Sequence, residues 1–431
     1  MSLLSREPLV SPSPPKALGR IPRLRSALRF LPAPTDFLIA ERARVGDTFL
    51  LEALGFRILF VFSPAALASL YRLKEDEASF TEATRTLLGF KLPDALLGGD
   101  MGMFHHLFGR SRMETYLAHV EGAVSESLAA LPPSGELELF THAKSVVHRV
   151  GFRCWLGPEA SAPEMLPRLI ALFEKIDPEA AFVNPASGLR TWITRKAPEM
   201  AALAELEEIV RGIRAGRAAR GVKAGDMLEE LETLYASEPS SRRDALIARD
   251  VVVLHLASLS NLYSAFAWTM VNLLLRPALM QKAGEDGVID AVAMESIRMA
   301  QRSITLRKVM KPVVLEDGIR RWSLSPGLFV GTMLSVTNGE HGDLSRFDAA
   351  HYERTKLVAP VPSREVVSTF GHGVHACPGQ RFALSAIRAA VKGHLSALQM
   401  TPRFTHAEPR AEQIGAVARA KNDCVVAYRK R

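Results

Sequence analysis

The chain has 431 residues, 48% hydrophobic and 23% charged, a globular composition with ample material for a large core. Its 54 Lys and Arg residues outnumber 46 Asp and Glu, but they are scattered, and no aromatic-spaced basic block points to nucleic acid. Three cysteines, Cys154, Cys377 and Cys424, with no CxxC pair, exclude a disulfide framework and fit a reducing cytoplasm.

In chain order, residues 1–20 form a proline-rich lead-in, extended rather than helical, with no secretory signal. Two β-like runs follow at 47–54 and 57–62, with a turn at Gly55 between them, as in a hairpin. A helix is predicted over 64–73, and a breaker-rich loop over 75–99. Helical periodicity then covers 104–131, 139–156, 162–176, 191–218, 227–235 and 241–275. The last is apolar on most faces at its centre and should run through the middle of the molecule. Its most apolar stretch, 251–257, falls short of the roughly 18 to 20 residues of a membrane span, so a soluble, cytoplasmic protein without a transmembrane anchor is expected. A helix over 288–301, short strands over 304–329, a last helix after Cys377 and a β-like tail at 423–430 complete a mainly α chain with a small β region. No internal repeat is present, and a single domain spanning 1–431 is expected.

The stretch TFGHGVHACPGQRFA surrounds Cys377. A thiolate is a strong ligand for soft or borderline metals, and backbone N–H groups at a helix start stabilise its charge. Pro378 suits a first helical turn. Gly371, Gly373 and Gly379 let the backbone turn sharply and approach something flat and bulky. Phe370 is placed to pack beside the sulfur. The competing reading is a buried structural cysteine.

Phe370, Gly373, Cys377 and Gly379 have the form F-x-x-G-x-x-x-C-x-G, with His375 two residues before the cysteine. This resembles the haem-binding loop of the cytochrome P450 family. The resemblance implies a cytochrome P450 fold, with haem b (iron protoporphyrin IX) between the long central helix and the cysteine-loop helix. It also implies Cys377 as iron ligand and His375 near a propionate. Glu295 and Arg298 match the family's E-x-x-R helix, against a surface ion pair as the alternative. His351 in FDAAHYER is the expected third partner, with Arg354 as the alternative. His106 and Arg110, in H-x-x-x-R near a helix start, and Arg307, in TLRKV, match propionate-binding positions; solvated surface residues are the alternative.

In the long helix, HLASLSNLYSAFAW resembles the sterol 7-hydroxylase and prostacyclin synthase branch. It places Asn261 and Leu262 where the family usually carries an acid and Thr. Asn cannot ionise and Leu cannot relay a proton, so Ser258, Ser260 or water would have to serve. The alternative is that Asn261 caps a local distortion of the helix. Three functions follow from the resemblance: a monooxygenase acting on a hydrophobic lipid, steroid or terpene-like molecule; an isomerase or dehydratase acting on a peroxide without external electrons; or a non-catalytic haem protein. The first is favoured. Substrate contacts are expected from 87–97, Leu256, Leu262, Ile304, Thr305, Leu306 and the Gly415–Ala416 turn. Electrons would come from a separate protein such as a ferredoxin and its reductase, meeting a basic face that includes Arg381 and Arg388. A monomer is expected.

Overall fold

The computed structural model describes residues 9–11, 14–17, 28–53, 55–98, 102–177, 191 and 193–431. Most of the lead-in lies outside them. Within it, Leu9–Ser11 forms β1. α1 (Pro34–Val45) opens on Pro34, whose missing N–H costs nothing in a first turn. β2 (Thr48–Ala53) and β3 (Phe56–Val61) pair antiparallel, Thr48 opposite Val61 and Ala53 opposite Phe56, as the hairpin pattern predicts. α2 (Pro64–Arg72) is capped by Ser63, whose hydroxyl accepts the Ala66 N–H at 3.2 Å.

After β4 (Ala78–Ser79), α3 (Phe80–Leu88) occupies the region expected to be loop. The signal for it is Ser79-Phe-Thr-Glu82: the Ser79 hydroxyl accepts the Glu82 N–H at 2.8 Å, the first half of a capping box. A second correction concerns 104–131. That run divides into α4 (Gly102–Leu107) and α5 (Met113–Ala129), with a 3-10 turn at Arg110–Arg112 between them. Gly109, at ψ 148°, takes an extended conformation there, and after proline glycine is the residue least favoured in a helix.

β5 (Ser134–Glu138) leads into α6 (Leu139–Leu156), whose start is fixed by the Glu138 carboxylate accepting the Phe140 and Thr141 N–H groups. α7 (Leu166–Ile176), α8 (Ala197–Arg220) and α9 (Met227–Leu234) follow. α10 (Ser240–Leu274) has 35 residues, about 50 Å at 1.5 Å each. It lies against α6 and α8 and against two later helices, α11 (Val288–Ala300) and α12 (Gln380–Ala397). From Leu262 to Leu273 every residue of α10 is buried. By length and composition alone α10 is apolar enough to cross a membrane, a longer apolar stretch than the run at 251–257. Its place inside the helical layer is compatible with a soluble protein.

The β region lies to one side. β6 (Ile304–Val309), β7 (Val313–Glu316), β8 (Arg320–Leu324) and β9 (Phe329–Met333) follow α11. One five-stranded sheet runs β2-β3-β9-β6-β4, and a smaller one β1-β8-β7. The tail strands β10 (Leu398–Pro402) and β11 (Val425–Lys430) close a third sheet with β5. The architecture is mainly α with a small β region, as expected.

Candidate active site

Cys377 sits between a 3-10 turn, Gly373–His375, and α12. The Cys377 N–H donates to the Phe370 carbonyl at 2.7 Å, and the Ala376 N–H to that of Gly373 at 3.2 Å. Gly371 (φ 77°) and Gly373 (φ 63°) take the left-handed conformation that the loop needs. The Gln380 N–H donates to the Cys377 carbonyl at 3.3 Å. That tight turn puts Pro378 ahead of the helix rather than in its first turn, and Gly379 becomes the N-cap.

Cys377 is solvent-accessible, yet desolvation by the surrounding loop raises its thiol pKa above the ordinary value, while N–H groups of Gly379 and Gln380 pull it down. The two observations agree if the sulfur meets solvent on one side and is enclosed on the others. A Cβ on Gly379 would lie 3.8 Å from Sγ and 3.7 Å from the Phe108 ring, an ordinary contact. Phe108, Trp155 and Phe382 form an aromatic group at this spot, with centroids 5.2 to 6.3 Å apart. Sequence reasoning missed Phe108, which directly follows α4 and whose N–H still donates to the Phe104 carbonyl at 3.1 Å.

Arg307 is fully buried. Its Nη1 donates to the Leu73 carbonyl at 2.6 Å, but Nε and Nη2 are buried with no hydrogen-bond partner. Burial pushes its pKa down, against the pull of Tyr71 and Glu75. An uncompensated buried charge costs several kcal/mol, so this cation asks for an anion. Its guanidinium stands 5.9 Å from the Tyr71 ring centroid. Tyr71 in turn meets the His372 ring edge-on at 4.9 Å. The arginine and the cysteine loop are thus brought together through Tyr71 and His372, neither of which the sequence reading singled out. The side chain of His375 lies outside the described residues. His106 and Arg110 are exposed, on either side of the helix break, and no contact among the described residues joins them to Arg307 or Cys377.

Glu295 and Arg298 are fully buried and share a bidentate contact at 2.7 and 2.6 Å. Arg298 also donates to the carbonyls of Asn338, Leu344 and Arg346. His351 Nδ1 stands 2.9 Å from Glu295 Oε1, and Arg354 instead pairs with Asp286 at the surface.

On α10 the helix is unbroken at Asn261, so no distortion needs a cap there. Asn261 Oδ1 accepts the Val417 N–H at 3.1 Å, beside the Gly415–Ala416 turn. The Ser258 hydroxyl donates to the His255 carbonyl at 3.3 Å; Ser260 is half-buried. Leu256 and Leu262 belong to the main core with Leu88, Leu97 and Phe108. Ile304 and Leu306 pack with Leu87, and Thr305 Oγ1 lies 3.3 Å from the Tyr71 hydroxyl. On the expected basic face, Arg381 is exposed, whereas Arg388 grips Asp290 at 2.7 to 3.0 Å. Its charge is therefore largely spent within the fold.

No protein-family model matches the chain. It is, however, 21% identical to abscisic acid 8'-hydroxylase 2 of Arabidopsis thaliana, over 86% of this chain and 80% of that protein. It is 23% identical to 7-alpha-hydroxycholest-4-en-3-one 12-alpha-hydroxylase of Oryctolagus cuniculus, over 88% and 84%. Against cytochrome P450 7B1 of Mus musculus the identity is 22%, over 90% and 84%. A cysteine in a glycine-shaped loop and a buried arginine with two unpartnered nitrogens thus occur in a chain with near-full-length similarity to hydroxylases. Over most of its length the chain is similar to cytochrome P450 hydroxylases, which supports an oxidoreductase of that kind.

Proposed function

We propose that the chain is a single catalytic domain that binds haem b and oxidises a hydrophobic lipid, steroid or terpene-like molecule. The observation that carries this reading is the pair of buried, unmatched donors on Arg307, set beside the loop that presents Cys377. Cys377 Sγ is the iron ligand, its negative charge supported by the Gly379 and Gln380 N–H groups. Arg307 takes one propionate through Nε and Nη2. His375, His106 and Arg110 are the further cations for the propionates. Phe370, Gly373 and Gly379 shape the loop against the macrocycle. Glu295, Arg298 and His351 hold the segment behind it. When bound, thiolate-ligated haem supplies oxygen activation.

The remaining work falls to the chain's own residues. Leu256, Leu262, Ile304, Thr305 and Leu306 line the substrate side and exclude water. The relatives named as hydroxylases of abscisic acid and of a cholestenone support a terpenoid or steroid of similar bulk. Electrons come from a separate ferredoxin-like partner, with Arg381 on the docking face, and the protein works as a soluble cytoplasmic monomer.

One observation favours a second reading. Asn261 spends its carbonyl oxygen on Val417 and Ser258 its hydroxyl on a helix carbonyl. This leaves Ser260 or water to relay protons, and rearrangement of a peroxide substrate would need no relay. The test is direct. The reduced, carbon monoxide-treated holoenzyme should give the far-shifted Soret band of thiolate coordination, and Cys377→Ser should lose it. Its absence from intact, haem-loaded wild-type protein overturns the proposal. Oxygen and reductant consumption with turnover separates the two chemistries.

A further inference from the structure

A cavity of about 670 Å³ opens between α1 and the segment that follows α11, lined in part by Thr35, Ile39, Arg42, Arg302, Ser335 and Ser345. Arg298 lines it, but neither Cys377 nor Arg307 does. Its three arginines differ in how far the protein satisfies them. Arg298 is closed by Glu295 and three carbonyls. Arg42 is held by Asp47 at 2.5 Å and Glu340 at 2.6 Å. Arg302 has neither arrangement.

Arg302 Nη1 donates to the carbonyls of Met299 and Gln301 at 3.2 and 3.0 Å. Its Nε is buried with no hydrogen-bond partner, and among the described residues Nη2 has none either. No carboxylate touches it; desolvation lowers its pKa to about 10, with Asp36 acting only at a distance. The group therefore stays charged at neutral pH. The Nε–Nη2 edge is the one that grips a carboxylate or phosphate through two parallel bonds. Thr35 Oγ1 and Ser335 Oγ, 2.7 Å apart, give hydroxyl donors on the same cavity, and Ile39 and Val336 give it an apolar wall.

We propose that this cavity is a binding site for a small oxyanion, a carboxylate or phosphate, gripped by the open edge of Arg302. The backbone of Arg302 is independently tied to the Gly415–Ala416 turn: its N–H donates to the Ala416 carbonyl and its carbonyl accepts the Gly415 N–H, both at 2.9 Å. Arg302→Gln keeps the backbone groups that make those bonds and removes the charged fork together with the Nη1 bonds to Met299 and Gln301.

Calorimetric titration of the holoenzyme at fixed ionic strength, with inorganic phosphate and separately with octanoate, tests the proposal. At least one probe should bind saturably, and Arg302→Gln should weaken that binding tenfold or more. Phosphate alone identifies a phosphate site; octanoate alone identifies a carboxylate with an apolar tail. Ser335→Ala, which does not touch the arginine, should weaken the same probe several-fold and serves if Arg302→Gln fails to fold. Saturable binding of neither probe, or binding unchanged in both variants, overturns the proposal. So does octanoate binding that shifts the haem spectrum equally in wild type and Arg302→Gln.

Discussion

Arg307 carries a charge that the polypeptide satisfies through one nitrogen only. Replacing it with Met removes two unmatched donors along with the charge. Apoprotein stability should therefore change little or rise, because an apolar group of similar length suits a buried site better than an unpaired ion. Haem retention should fall at the same time, measured as the haem-to-protein ratio after gel filtration. Apoprotein destabilised by several kcal/mol, with haem binding unchanged, would place the arginine in a purely structural role. At Asn261 the side-chain oxygen is the acceptor that matters. Asn261→Leu strands the Val417 N–H, at about 1–3 kcal/mol, and should weaken ligand-induced haem spectral shifts several-fold. Asn261→Asp keeps an acceptor and should weaken them less. The sequence alone offered Cys377, Glu295 and Arg298 because those residues stand in short, dense patterns. Tyr71 and His372 were invisible there, since their meeting depends on two segments some three hundred positions apart.

Among the elements, α11 carries a charge cluster closed off from solvent, with Glu295 and Arg298 fully buried. Glu295→Ala leaves Arg298 and His351 without their shared acceptor and should cost about 3–5 kcal/mol, read as a lowered denaturation midpoint with little change in slope. A loss under 1 kcal/mol would show that the carbonyls of Asn338, Leu344 and Arg346 suffice alone. Elements with strong periodicity and clear ends were legible before folding. α6 has the predicted ends, and α10 begins and ends within one residue of its predicted span. α3 was not, because a nine-residue helix amid glycines offers too few apolar repeats, and only its cap announces it. The break between α4 and α5 escaped for the opposite reason. Apolar spacing continues across it, and a single Gly109 decides the matter against the pattern.

At the scale of the whole molecule, two imidazole pairs tie α6 to its neighbours: His148 Nδ1 stands 3.0 Å from His255 Nε2 on α10, and His142 meets His394 on α12. His142 Nε2 and His394 Nε2 stand 2.8 Å apart, and His394 Nδ1 lies 2.7 Å from the Ala390 carbonyl. That carbonyl requires a proton on Nδ1, so His394 accepts at Nε2 and His142 donates. Burial pushes their pKa values down to about 3 and about 4, and that of His255 down as well. The unfolded chain takes up these protons near pH 6.5, so it binds more protons than the native state below that point. Stability should be full above pH 6.5 and fall as pH drops toward 4. Melting temperatures across that range should show it, and replacing His142 and His394 together with Gln should flatten part of the slope. At the surface, Arg381→Glu should slow reduction by an acidic electron donor at low salt, and added salt should shrink the difference from wild type; equal rates would move the docking face elsewhere. The Gly415–Ala416 turn has a last consequence. It is fastened at once to α10, through Asn261 and Trp268, and to the end of α11, through Ala300 and Arg302. The turn is therefore held from two helices at once. If the proposed substrate contacts hold, selection for altered substrate range should spare this clamp and gather changes at residues outside it, such as Leu87 and Leu306.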